Sequence, residues 1–224
     1  MDEQILLSLD LSVLSEEVIE VLLLDSNVEQ SLLDEIAQKN IHRPKILEWI
    51  LKHPGTTEAT RNFIAQKLNI PLPEKVEEAA DEYKHQRVQS MFQRIQKMRV
   101  GERIQLAIRG SRDIRSILLR DSSREVMLTV LDNPKITESE IEILAKQRTT
   151  PDEVLRVIAK KKDWLRNYSI MFSLVTNPKT PVGIALQNIN ALKYKDLLPL
   201  EKNRNLPEAI RAAIKRKINL RRQG

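Results

Sequence analysis

The chain has no cysteine, five glycines and eight aromatic residues among 224. The missing cysteine excludes disulfides, zinc–thiolate sites, cysteine nucleophiles and cysteine-bound clusters. Five glycines are too few for a collagenous chain, a glycine linker or a phosphate-binding loop. Long apolar runs are missing too. The longest stretch, from Val18 to Leu24, is interrupted by Glu20 and stopped by Asp25, well short of the roughly 20 residues a membrane span needs. The opening stretch MDEQILLSLDLSVLSEE is acidic, where a secretory signal wants a basic start. A soluble, cytoplasmic protein is expected.

Reactive motifs are equally sparse. His42, His53 and His85 share no ligand spacing, so no metal site is expected. There is no G-x-S-x-G, P-loop or dinucleotide fingerprint. Glu138, Glu140 and Glu142 fall at a helix start, where the helix dipole accounts for them. These absences point to a protein that is not an enzyme and carries no cofactor.

What is present is aliphatic: 30 Leu, 23 Ile and 13 Val. A Leu/Ile-rich, aromatic-poor composition favours helices over sandwiches and barrels. The apolar spacing agrees. Ser15 reads as an N-cap before Glu16 and Glu17, followed by a helix apolar nearly all round and therefore buried. Asn27 can cap the next helix, Pro44 suits the first turn of a third, and Thr57 caps a fourth. Ile70-Pro71-Leu72-Pro73 stops that helix. Residues 74–99 then run without Pro or Gly, with an interrupted apolar stripe, and read as a connecting helix rather than a core one. From Gly101 onward, turn signals separate sets of apolar residues at helical spacing, with no alternating strand pattern. Three regions are expected: an acidic N-terminal helical region at 1–70, a connecting helix at 71–100, and a basic repeat region at 101–224.

The most specific signal is an internal repeat. Val130-Leu131-Asp132-Asn133-Pro134-Lys135-Ile136-Thr137 recurs 44 residues later as Leu174-Val175-Thr176-Asn177-Pro178-Lys179-Thr180-Pro181. Ile50-Leu51-Lys52-His53-Pro54-Gly55-Thr56-Thr57 is a weaker copy. Each is an apolar helix end, a turn with Pro, and a new helix. Thr150-Pro151 and Leu206-Pro207 also introduce similar helices. One short helix pair cannot bury its apolar face alone, whereas stacked pairs share a core. The expected fold is an all-α solenoid of short stacked helices, with a smaller N-terminal helical segment. The string Asn177-Pro178-Lys179-Thr180-Pro181 resembles the Asn-Pro-x-Thr-Pro turn of leucine-rich-repeat-variant and HEAT-like bacterial repeat proteins. Asp163-Trp164-Leu165-Arg166-Asn167-Tyr168 is similar to a helix start of such repeats. The likeness covers 101–218, and it implies an α-solenoid with a binding role and no particular ligand.

Charge is the second feature. Residues 1–82 hold 7 Lys/Arg and 17 Asp/Glu, whereas 83–224 hold 30 and 14. Three basic clusters stand out. One contains Arg109, Arg112, Arg115 and Arg120. Another contains Arg156, Lys160, Lys161, Lys162 and Arg166, beside Trp164 and Tyr168, which are either stacking platforms or core anchors. The last contains Arg211, Lys215, Arg216 and Lys217, after which no acid follows. These are the candidate contacts for an anionic partner. The expected function is a protein-interaction scaffold or adaptor, with an acidic protein as partner. The alternative is nucleic-acid binding on the basic face of 83–224, through phosphates and a stacked base.

Overall fold

The computed structural model describes residues 10–25, 28–72 and 81–223, with side chains at all of these except 81–88 and 222–223. Fifteen helices and no strand lie among the described residues, as the aliphatic composition and helical spacing require. The expected Asn27 cap and the 74–80 part of the expected long helix lie outside the described residues. The chain divides into two compact units, 1–133 and 134–224.

The first unit contains α1 (Glu16–Leu24), α2 (Gln30–Lys39), α3 (Pro44–Lys52), α4 (Glu58–Leu68), α5 (Asp81–Lys97), α6 (Val100–Arg109), α7 (Arg112–Leu118) and α8 (Arg124–Leu131). The expected caps form. The Ser15 hydroxyl accepts from the Val18 N–H, the Thr57 hydroxyl accepts from Thr60, and Pro44 opens α3. Helix α4 ends at Asn69, whose left-handed backbone (φ 52°) lets the Ile70 N–H close on the Ala65 carbonyl before the prolines begin.

Helix α1 is the centre of this unit. Val18, Ile19, Val21 and Leu22 are fully buried, because α1 packs against α3, α5 and α6. The 70/71 and 100/101 boundaries read from composition therefore lie inside one compact unit, not between units. The reading of 71–100 as a connector also fails in its second half. Met91, Ile95 and Met98 are buried, and α5 packs against α1 and α7. Its stripe looked interrupted because the polar residues between them face outward.

The second unit contains α9 (Glu138–Lys146), α10 (Asp152–Lys160), α11 (Lys162–Leu165), α12 (Tyr168–Thr176), α13 (Val182–Ile189), α14 (Tyr194–Glu201) and α15 (Glu208–Gln223). Helix α9 packs on α12, and the Tyr168 hydroxyl joins α12 to Asp196 on α14. Helix α10 packs on α9 and α12, α13 on α12, and α15 on α13 and α14. Two layers result. Met171 and Val175 of α12, Ile189 of α13, and Ile210, Ile214 and Ile218 of α15 share one core.

The turns carry a common device. Asn177 ends α12, and its Nδ2 donates to the Ala145 carbonyl at 2.8 Å and the Gln147 carbonyl at 3.0 Å. Asn133 Nδ2 donates in the same way to Ala107 and Ile108, at 2.9 and 3.0 Å. In each case a side-chain amide satisfies open carbonyls at the end of an earlier helix. The two Asn-Pro-Lys turns thus make the same kind of bond. By packing, a further counterpart of Asn177 is Gln147, 30 residues earlier, since Gln147 ends α9 as Asn177 ends α12. Thr150 N–H bonds to Gln147 O at 3.2 Å, and Thr180 N–H to Asn177 O at 3.0 Å. Pro151 and Pro181 then lead into α10 and α13.

Two substitutions test this account. Leu22→Ala should destabilise by about 3 kcal/mol, and Leu23→Ala, at a half-buried site, by clearly less, measured by urea unfolding of the full chain. Asn177→Ala strands two buried carbonyls and should cost about 2 kcal/mol, while Asn205→Ala, on an exposed turn, should lie within about 0.5 kcal/mol of wild type.

Candidate functional site

The units differ sharply in charge. Residues 1–133 hold 18 Lys/Arg and 22 Asp/Glu, and residues 134–224 hold 19 and 9. In the first unit, much of the charge is consumed internally. Arg94 pairs with Glu20, and Arg109 Nη1 lies 3.6 Å from Glu35. Both pairs join the acidic first third to the basic stretch that follows. Arg103 pairs with Asp121 at 2.8 Å. Ser15 donates to Glu102, and Ser111 donates to the buried Asp25 carboxylate.

The first basic cluster accordingly does not present all its cations to solvent. Arg115 is 3% exposed and donates to the Gly110 carbonyl at 3.2 Å. It lies on the inward side of α7 with Ile114 and Leu118. Arg109 is half-buried against Glu35. Arg112 is exposed.

The second cluster surrounds the short α11. Arg156, Lys160, Lys161, Lys162 and Arg166 are all exposed. Arg156 pairs with Asp152 one turn away at 3.2 Å, and Arg166 with Asp163 at 3.1 Å. Such exposed pairs are worth little and leave the cations accessible. Lys161 Nζ sits 4.3 Å from the centroid of the half-buried Trp164 ring. Tyr168 belongs to the core side of its expected alternatives. Its hydroxyl donates to Asp196 at 2.5 Å and accepts from the Lys193 N–H at 3.1 Å. Its ring stacks with Phe172, centroids 6.2 Å apart, and Lys193 Nζ lies 4.5 Å above it. Burial, reinforced by the bond to Asp196, raises its pKa above the ordinary phenol value.

The third cluster lies on α15, where two inward residues separate from two outward ones. Arg211 and Lys217 are half-buried. Lys217 Nζ donates to the Ile189 carbonyl of α13 at 2.8 Å. Burial there, with Arg221 nearby, lowers its pKa. Lys215 and Arg216 are exposed. With Ala212, Asn219 and Leu220 they line a shallow open groove.

Reasoning from sequence missed a neighbouring feature on α13. Val182 and Leu186 are 37% and 38% exposed, and Gly183 between them is exposed. The available signal was the string VGIALQNI, which carries no charge at all. The histidines are dispersed. His53 is buried, with Nδ1 accepting from the Gly55 N–H at 3.1 Å and Nε2 facing the Asp25 carbonyl at 3.4 Å. His42 is exposed, and the side chain of His85 lies outside the described residues. Among the described residues, no three acidic, His or Cys side chains gather as a metal would require, and no helix is long and apolar enough to cross a membrane. Comparison of the chain with protein-family models, curated proteins and solved structures returned no match.

The Tyr168 bond gives a pH-dependent expectation. A phenol whose folded pKa lies above its unfolded value contributes stability that is complete below the unfolded value, about 10, and is lost as pH rises through the folded value. Tyr168→Phe should therefore destabilise by about 1–2 kcal/mol at neutral pH. The gap between wild type and variant should stay constant to about pH 10 and narrow above it, as read by urea unfolding across that range.

Proposed function

We propose that this chain is a non-enzymatic α-solenoid scaffold of HEAT-like type that holds an acidic protein partner on the cationic surface of residues 134–224. The solenoid reading is supported by helices that pack on their next-but-one neighbour, such as α1 on α3, α2 on α4, α6 on α8 and α13 on α15. It is also supported by hydrogen bonds that join helices at offsets near 30 residues. The observation that carries the functional reading is the asymmetry in charge use. Arg94, Arg103 and Arg109 of the first unit pair with acids of that unit, whose 18 Lys/Arg do not exceed its 22 Asp/Glu, whereas Lys160, Lys162, Lys215 and Arg216 are exposed on a unit with 19 Lys/Arg against 9 Asp/Glu. Surplus exposed charge of one sign steers an oppositely charged partner.

A second reading, nucleic-acid binding, is favoured by one feature, the three consecutive lysines beside half-exposed Trp164. Against it, Tyr168 is committed to Asp196 and Phe172, which removes one of the two expected stacking platforms.

Fluorescence anisotropy of the full chain with labelled polyglutamate, duplex DNA and single-stranded RNA decides between them. Polyglutamate should bind, weaken with added salt, and lose about tenfold or more in affinity on Lys215→Glu/Arg216→Glu. Tighter binding to either nucleic acid, lost on Lys160→Glu/Lys162→Glu, would move the assignment to the second reading.

A further inference from the structure

We propose that the outward furrow of α15 docks an acidic segment of a partner protein, with a carboxylate between Lys215 and Arg216 and an aliphatic side chain against Leu220. This rests on the acidic-partner reading and names its surface. The furrow belongs to a single helix, so its geometry follows from the helical repeat of about 100° per residue. Ile210, Ile214 and Ile218 are buried and mark the side of α15 that faces the core. On the opposite side Ala212 and Asn219, seven residues apart, fall within about 20° of one line. They form the floor of the groove that Lys215, Arg216 and Leu220 complete. By the same repeat, Arg211 and Lys215 lie to one side of that line, and Arg216 and Leu220 to the other. Lys217 belongs to neither wall, because it turns back to donate to the Ile189 carbonyl.

Two features of these walls say what the furrow takes. The first is that its cations are uncommitted. Lys215 and Arg216 are exposed, and among the described residues neither they nor Arg211 pair with a carboxylate. Arg211 is half-buried, and its Nε is buried with no hydrogen-bond partner. Helix α15 carries no acid after Glu208. Around α11, by contrast, Arg156 and Arg166 each have an acid within one turn. Cations held this close repel one another, and an anion between them relieves that repulsion. The second feature is Leu220. It is 65% exposed and stands one turn beyond Arg216 on the same wall. A leucine so placed adds little to the chain's own core, and a partner's aliphatic side chain would remove it from water.

Charge and apolar surface together select the occupant. A segment with Glu or Asp and, about one helical turn or two extended residues away, a Leu, Ile or Val meets both walls at once. A nucleic-acid backbone would use the cations and leave Leu220 uncovered. A second copy presenting the same face across a twofold axis would set Lys215 and Arg216 against themselves.

The probes are two labelled peptides of equal length, polyglutamate and a variant in which every fourth Glu is Leu. Full-length wild type should bind the Leu-containing peptide about tenfold more tightly than polyglutamate. Leu220→Ser, at an exposed position, should leave the melting temperature within about 2 °C of wild type. It should also abolish the difference between the peptides, with polyglutamate binding unchanged. Leu220→Met should retain the difference. Lys215→Glu/Arg216→Glu should weaken both peptides tenfold or more, whereas Lys160→Glu/Lys162→Glu should change the Leu-containing peptide by less than about twofold. Equal binding of the two peptides, unaffected by Leu220→Ser, would overturn the furrow and leave the acidic-partner reading standing. So would binding lost on Lys160→Glu/Lys162→Glu and kept on Lys215→Glu/Arg216→Glu, which would move the partner to α11. Binding of neither peptide would overturn both readings. Self-association in sedimentation, abolished by Leu220→Ser, would assign the furrow to a second copy and overturn the proposal, as would full displacement of the Leu-containing peptide by a DNA duplex whose own binding is insensitive to Leu220→Ser.

Discussion

Every short helix ends with carbonyls that its own backbone leaves open, and a chain built from helices of seven to eleven residues for most of its length has many such ends close together. Here the open carbonyls of one helix are answered by a side chain from a turn about one helix pair later. Asn177 answers Ala145 and Gln147, and Asn133 answers Ala107 and Ile108, whereas Asn40 bonds to Ile36 in its own helix and to Leu11 in the turn before α1. The donor is buried in each case, so the bond cannot be exchanged for one to water. It fixes the axial offset between stacked helices, and the apolar positions on those helices can then interlock. Helix length, turn chemistry and core composition all follow from that offset.

This explains which parts of the fold were legible in the sequence. The side chain that does the capping must be short and carry a donor, and proline after the turn sets up the next helix. Asn-Pro-Lys at 133 and 177 was therefore conspicuous. The 44-residue spacing joins a turn at the end of the first unit to one inside the second, and both Asn side chains make the same kind of bond. A further related turn, Gln147-Arg148-Thr149-Thr150-Pro151, keeps the Thr-Pro but not the Asn-Pro of Asn177-Pro178-Lys179-Thr180-Pro181. The two also share a backbone bond from the fourth residue to the first, and that is geometry rather than spelling. His53 fills an analogous place with a ring nitrogen. Helix α1 was legible for the opposite reason: apolar residues on nearly every side leave burial as the sole stable outcome.

The charge reading failed and succeeded along the same line. Counting along the chain located an acidic third and a basic remainder, but ion pairs form across distances that counting does not see. Glu20 meets Arg94 and Glu35 meets Arg109, so two of the basic residues beyond the composition change pair with acids of the first third. The surplus that survives lies beyond residue 133. Arg115 shows a further limit. Spacing on a helix tells which residues share a side, and it does not tell whether that side faces water. Whether a cation is available is decided by packing, and for Arg115 the neighbours Ile114 and Leu118 decide it. Leu186 is the converse, an aliphatic residue at helical spacing that stays partly exposed.

The two units also differ in how far along the chain their contacts reach. In residues 134–224 the hydrogen bonds that join helices span 25 to 32 residues. The first unit has bonds of that reach and others far longer: Ser15 to Glu102 spans 87 residues, and Ser111 to Asp25 spans 86. Loop closure costs more with length, though slowly, and non-local contacts slow folding more than they alter stability. The second unit can thus form by adding each helix to its neighbour. The first must bring α1 back against α5 and α6 before its most apolar helix is covered. An exposed α1 would be the most apolar helix of the unfinished first unit. The Glu20–Arg94 pair and the Ser111–Asp25 bond lie at opposite sides of that closure, and they specify the partner to which an otherwise non-directional apolar helix must dock.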